Sequence, residues 1–324
     1  MKAKFEFNLF SQKALFDLTS IRNGEVKLGE KLLTPDADYS KAKYFIVGIS
    51  EDIGPQSNGG FAGSTKAFNT FLKRFVNIQS NQFLTGENTL ILGEICSMEL
   101  FDTVENGRKK VEELDLFVES IISPWLKKGL LPIVIGGGHN NAFPIIKSIS
   151  KSIDKAISVI NLDPHADFRP LEGRHSGNPF SYAYDQRFLD KYAILGLHQS
   201  YNSQYILDQL TKNDFLFSFF DDYLFKKANF EQDLITFYEH INLGEFGIEL
   251  DLDSIAYMPS SAFSPSGMSV EEARSYVLQM AKSRKVQYLH LPEAAPKNEK
   301  EEAIVGKTLA YLVTDFIKAN QSAS

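Results

Sequence analysis

The segment Asn161-Leu-Asp-Pro-His-Ala-Asp-Phe-Arg169 follows the apolar pair Val159-Ile160 and sets Asp163, His165 and Asp167 at every second position. An extended backbone points residues i, i+2 and i+4 to one face. Two carboxylates and an imidazole are therefore expected to converge at the end of a buried strand. Unpaired, such groups repel one another and are costly to bury, so something positive is expected between them. Two further segments carry the same residue types. "IVIGGGHNNA" (133–142) runs an apolar stretch into three glycines and His139, and "IELDLDS" (248–254) repeats the spacing logic with Asp251 and Asp253. No Lys-Ser/Thr follows the glycines, so a Walker phosphate loop is excluded.

Together these segments supply two histidines and four aspartates. Oxygen-rich ligation with some imidazole suits Mn2+, Mg2+ or similar hard ions. Four carboxylates balance two divalent cations, so the count favours a two-metal site. Such pairs lie roughly 3.5–4 Å apart and lower the pKa of water toward neutrality. An aspartate after a strand is often only an N-cap or turn former. Three such motifs at successive strand ends point instead to a metal centre.

The elements that must position them are legible as apolar runs of strand length at Tyr44–Ile49, Thr89–Gly93, Leu131–Ile135, Ala156–Leu162, Ala193–Leu197, Phe215–Phe219, Phe246–Leu252 and Val286–Leu291. Most are apolar on both faces, as buried parallel strands require. Helical periodicity lies between them, at Thr65–Val76, Lys109–Lys128, Asn202–Thr211, Glu231–Ile241, Val270–Ser283 and Ala303–Ala319. The alternation predicts a single-domain, three-layer α/β fold, with a parallel sheet of about eight strands and helices on both faces. The domain is read as spanning 1–324, an N-terminal extension over 1–40 and a core over 41–324. Open parallel sheets bind ligands outside the carboxyl ends of their strands, which is where the unusual residues fall.

Composition narrows the function further. The net charge is −7 with no basic block, which argues against nucleic acid as a partner. Cys96 is the single cysteine, so neither a disulfide framework nor a thiolate zinc site is available. "MKAKFEFNLF" lacks the apolar run of a signal peptide, and no stretch reaches the length of a membrane span. The expectation is a cytoplasmic protein with no membrane partner.

At the three motifs the chain resembles the ureohydrolase superfamily of arginase, agmatinase and formimidoylglutamase. That family's order is Gly-Gly-x-His, then Asp-x-His-x-Asp, then Asp-x-Asp; here it reads "GGGHN", "DPHAD" and "DLD". "GISEDIGPQSNGGFAGSTKAFNTFLKRF" (48–75) resembles the family's glycine-rich loop and following helix, and "HLPEAAP" (290–296) its late Glu-x-x-Pro strand end. The resemblance implies an arginase-like fold and two Mn2+ per chain. His139, Asp163, Asp167 and Asp251 would bind one ion, and Asp163, His165, Asp251 and Asp253 the other. It also implies that Glu293 faces an amidine-type cation, a sensible role for a carboxylate. It implies a trimer or hexamer as well.

Within the family, "GGGH" and "HSGNPFSYA" (175–183) resemble formimidoylglutamases, the latter placing Asn178 near the substrate. Arg169 suits a substrate carboxylate, which a guanidinium holds in bidentate fashion; agmatine would be repelled. Departures are Glu249, where Ser is usual, the missing Asp-Pro after the Asp pair, and Phe61, where Arg is common. Arginase's proton-shuttling histidine aligns with Ser176, one place from His175.

The resulting expectation is metal-assisted hydrolysis of a C–N bond in a small amidino acid, N-formimidoyl-L-glutamate giving L-glutamate and formamide. Asp167 and Glu293 would act with His175 as catalytic groups, His175 donating a proton to the leaving amine, and Arg169, Asn178 and Glu293 would bind substrate. An arginase or other guanidino-acid hydrolase releasing urea is the alternative of the same chemistry. A catalytically silent metal-binding relative, acting as ligand sensor or structural protein, is the alternative of another class.

Overall fold

The structure is a computed structural model that describes residues 5–97 and 101–323. Among the described residues, nine strands form one sheet: β1 (Phe5–Leu9), β2 (Tyr44–Ser50), β3 (Thr89–Ser97), β4 (Leu131–Ile135), β5 (Ile157–Leu162), β6 (Leu189–Leu197), β7 (Leu216–Phe219), β8 (Phe246–Leu250) and β9 (Val286–Leu291). Their order is β1-β3-β2-β4-β9-β8-β5-β6-β7. Every pairing is parallel except β1 with β3. All eight apolar runs read from the sequence are strands.

The ninth strand, β1, lies in the segment that the sequence reading treats as an extension. Phe5-Glu-Phe-Asn-Leu9 alternates as a half-covered edge strand should, and Phe5 packs on Phe117 with ring centroids 5.7 Å apart. Its antiparallel sense also departs from an all-parallel sheet. A helix at Ala142–Ile153 is likewise absent from the sequence reading. Pro144 masks its pattern but sits in the first turn, where a missing N–H costs nothing.

The strands alternate their side chains between two cores. Tyr44, Ile46, Ile160 and Leu162 face one; Phe45, Val47, Ile49, Ile157 and Val159 face the other. Helices Ala67–Phe75, Phe230–Ile241, Val270–Met280 and Glu299–Gln321 cover the first core. Helices Val104–Leu126, Ala142–Ile153, Pro179–Asp185 and Gln204–Lys212 cover the second. Among the described residues, no helix is long and apolar enough to cross a membrane.

Strand order explains why distant motifs meet. β4, β9, β8 and β5 are neighbours, and their carboxyl ends lead into His139, Glu293, Asp251 and Asp163 respectively. Neighbouring strands are about 4.8 Å apart, so side chains leaving these four ends reach a common point.

Candidate metal centre

Each loop is folded by contacts that can be named. After β4, Gly136 and Gly137 take φ of 84° and 70°, turning the chain sharply. A Cβ on Gly137 would lie 2.6 Å from Asn141 Nδ2 and 3.1 Å from Glu51 Oε1. That crowding arises because the buried Glu51 carboxylate holds the loop. It accepts from the Gly138 N–H at 2.8 Å, from Asn141 Nδ2 at 2.8 Å and, through its other oxygen, from the Ile53 N–H at 2.6 Å. His139 is thereby delivered, fully buried, above the sheet.

The Asp-x-His-x-Asp segment does not converge by extended geometry, contrary to the expectation from its spacing. β5 ends at Leu162, and the motif is a loop in which Asp163 Oδ1 accepts from the His165 N–H at 2.7 Å. Asp167 has a φ of 46°. β8 likewise ends at Leu250. Asp251 then opens a short 3-10 turn, accepting from the Asp253 N–H at 2.9 Å. Aspartate bonds its own downstream backbone readily, so the first carboxylate of each pair folds the loop that presents the second.

The six side chains form two groups. His139 Nδ1 lies 3.2 Å from Asp163 Oδ2, 2.9 Å from Asp167 Oδ2 and 3.1 Å from Asp251 Oδ2. His165 Nδ1 lies 3.6 Å from Asp163 Oδ1 and 3.2 Å from Asp253 Oδ2. His139, Asp163, Asp167 and Asp251 thus form one metal-sized cluster, and Asp163, His165 and Asp253 a second. Asp163 turns one oxygen to each, as a bridging carboxylate does.

The electrostatics ask for cations. Burial, followed by repulsion from Asp253 and Asp163, pushes Asp251 well above the carboxylate range. Asp167 and Asp253 are also pushed up, chiefly by burial. Among the described residues, His139 Nδ1 and Asp253 Oδ1 are buried with no partner at hydrogen-bonding geometry. Oxygen-rich donors with one imidazole per cluster fit hard divalent ions, and an ion in the first cluster would satisfy His139 Nδ1.

A cavity of about 280 Å3 opens over the clusters, lined by His165, Asp167, Asp251 and Asp253 with Arg169, Glu293, Asn58 and Ser261 among others. Glu293 has a φ of 68° and is buried. It accepts from the His139 N–H at 2.6 Å and from the Ser261 hydroxyl. Burial and the nearby Asp251 carboxylate push it up to about 8. Arg169 stands at the rim, half-exposed, donating to Asn58 Oδ1 at 2.9 Å and pairing with Glu172 at 3.1 Å.

Two residues expected at the substrate lie elsewhere. His175 is fully buried and does not line the cavity. Its Nδ1 accepts from the Gly177 N–H at 3.1 Å and its Nε2 meets Glu172 at 3.2 Å. Burial, then Arg108 and Arg169, lowers its pKa to about 4, so the ring is held neutral. Asn178 is also buried away from the cavity, where Oδ1 accepts from Arg174 Nη1 and from the His175 N–H. Both pin the loop whose Ser176 and Gly177 do line the cavity. Their sequence neighbours carry the family-like pattern, and the pattern cannot say which member faces inward.

The sequence reading assigned no role to Glu51, Asn58 or Ser261. It noted Glu249 only as a departure, whereas the structure buries it behind His139, bonded to Tyr288 and His290. Its signal was an acidic residue in the middle of an otherwise apolar strand.

Fold and centre together define a doubly wound α/β protein with a two-cluster acidic site at its strand ends. The family model of the Arginase family matches residues 43–317, and the chain belongs to that family. A formimidoylglutamase of Streptococcus pyogenes serotype M3 is 25% identical over 197 residues, covering 57% of this chain and 55% of that protein. The chain thus spans about half the length of the curated relatives it matches. Among solved structures, formimidoylglutamase from Bacillus subtilis superposes with a TM-score of 0.77 at 17% identity, covering 93% of each chain. Trypanosoma cruzi formiminoglutamase with Mn2+ gives 0.69 at 22%, covering 90% of this chain and 98% of that one.

Proposed function

We propose that this protein is a binuclear-manganese hydrolase of a small amidino acid, with N-formimidoyl-L-glutamate as substrate. The observation that carries the reading is the cavity itself. It has the Asp163-bridged clusters at its base, the Glu293 carboxylate beside them and the Arg169 guanidinium at its rim. The formimidoylglutamases among its relatives support the same substrate, and the neighbour holding Mn2+ supports the metal.

His139, Asp163, Asp167 and Asp251 would hold one ion and Asp163, His165 and Asp253 the second; Asp251, which the resemblance also assigns to the second ion, groups with the first cluster alone, its other oxygen accepting from the Asp253 N–H. Bound there, the ions would lower the pKa of a water between the clusters and offset the negative charge that hydrolysis develops. Glu293 would hold the amidine nitrogen as a carboxylate once bound cations offset the burial and the Asp251 charge that push it up. Arg169 takes a glutamate carboxylate in a charge-assisted, bidentate contact. Asp167 lines the cavity and is placed to receive a proton at its carboxylate from the attacking water and return it to the leaving amine nitrogen. The C–N bond to the amine breaks, and L-glutamate and formamide leave. His175, held neutral by its loop, keeps Ser176 and Gly177 in place and stays outside the proton transfer.

The test is Mn2+-loaded protein assayed on N-formimidoyl-L-glutamate, L-arginine and other guanidino acids, with formamide and urea measured separately. Formamide from the first substrate alone is expected. Urea from a guanidino acid would move the protein to the arginase-type alternative. Binding without turnover would favour the silent relative.

A further inference from the structure

Behind His139, on the side away from the cavity, lies a polar group that the reaction does not use. Glu249 sits in β8 and His290 directly across from it in β9. Both are fully buried. Glu249 Oε2 lies 2.7 Å from His290 Nδ1, and Oε1 accepts from the Tyr288 hydroxyl at 2.7 Å. The third neighbour of this carboxylate is His139, whose Nε2 stands 3.4 Å from Oε2. That nitrogen has no closed hydrogen bond. Since Nδ1 of the same ring faces three aspartates of the first cluster, a neutral His139 that ligates through Nδ1 must carry its proton on Nε2. In this buried setting Glu249 is the acceptor at hand.

A buried carboxylate inside an apolar sheet is costly unless it is satisfied. The surroundings of Glu249 are built for that: one donor on each oxygen, drawn from one adjacent strand, with the third position left for His139. A ligating histidine commonly gives its second N–H to a carboxylate, which fixes tautomer and ring orientation and strengthens the ligand. We propose that Glu249, held by Tyr288 and His290, is a positioning residue that orients His139 and selectively strengthens the first of the two metal clusters. The inference rests on the two-metal reading of the centre and is independent of which substrate the cavity takes. His139, Glu249 and His290 are themselves close enough to cage an ion, so a third metal there is the competing outcome.

The experiment compares wild type with Glu249→Gln and Tyr288→Phe, all checked for folding by circular dichroism and titrated with Mn2+ alone. Bound metal is counted by elemental analysis, affinity is measured by calorimetry, and pairing of the ions is read from the Mn2+ electron paramagnetic resonance spectrum. Wild type is expected to hold two spin-coupled ions. Glu249→Gln should weaken one site by about 10–100-fold and convert the coupled spectrum to that of an isolated ion. Tyr288→Phe, a smaller change that leaves the carboxylate in place, should weaken the same site by a lesser factor. Two coupled ions of unchanged affinity in both folded variants would overturn the proposal and leave the two-metal reading standing. Three ions in wild type, falling to two in Glu249→Gln, would also overturn it. Failure of wild type to bind an ion pair would overturn both. If Glu249→Gln does not fold, unchanged affinity and spectrum in Tyr288→Phe overturns the proposal by itself.

Discussion

Asp163 is the residue on which both clusters depend, because its two oxygens face different histidines. Asp163→Asn keeps the shape and removes the charge. It should abolish paired metal binding and lower kcat/KM by about 10^3-fold or more, since a metal pair supplies several kcal/mol of charge stabilisation. Elemental analysis and turnover of the folded variant check this. Arg169 makes a different prediction because it touches the rim and not the clusters. Arg169→Met should raise KM for a dicarboxylate substrate by roughly 10–100-fold while kcat changes little, the loss of a charge-assisted hydrogen bond of about 1.5–3 kcal/mol. A substrate lacking the distal carboxylate should show no such loss. At this scale the ligand types were readable in the sequence, because three separate strand ends carry carboxylates and imidazoles together, which turn formation alone does not require. Side-chain direction was not: His175 and Ser176 are adjacent, and which of them faces inward is set by contacts of the folded loop, among them the His175 ring with the Gly177 N–H and Glu172 and the Ser176 hydroxyl with Asn58.

At the scale of elements, the loop after β4 is held from two sides. Gly137 has positive φ and no room for a Cβ, so Gly137→Ala should destabilise the protein by about 1–3 kcal/mol, measured by urea denaturation. Arg174 ties the helix Val104–Leu126 to the same region. It is buried, bonds Asp115 Oδ2 through Nε at 2.9 Å and gives Nη2 to the Asn140 carbonyl at 2.7 Å. Arg174→Ala leaves the Asp115 carboxylate buried without its partner, at a cost of about 3–5 kcal/mol. Unfolding curves identical to wild type would contradict that role. The eight parallel strands were legible because each is a short apolar run. β1 and the helix Ala142–Ile153 were not, because a five-residue alternating edge strand is not a continuous apolar run and Pro144 disguises the helical run. The extended geometry expected of Asp163 to Asp167 failed for a local reason: Asp163 captures the His165 N–H and ends the strand.

At the scale of the whole molecule, stability should depend on pH through His175. Its pKa is about 4 in the folded chain against about 6.5 when unfolded. Between these values the unfolded state binds more protons, so stability is present above pH 6.5 and is lost as pH falls toward 4. Metal-free His175→Asn, which keeps an acceptor for the Gly177 N–H, should show a shallower decline over that window than metal-free wild type. Parallel curves in chemical denaturation would contradict the assignment. The topology also explains why the centre joins segments more than a hundred residues apart, from His139 to Asp251. Strand order places β4, β9, β8 and β5 together, and no sequence pattern encodes that order.

The central claim is that these four strand ends surround a pair of dications. Anomalous scattering at the manganese edge from crystals grown with excess Mn2+ tests it most directly. Two peaks roughly 3.5–4 Å apart are expected, one ringed by His139, Asp163, Asp167 and Asp251, the other by Asp163, His165 and Asp253. A single peak, or peaks remote from Asp163, would contradict the account.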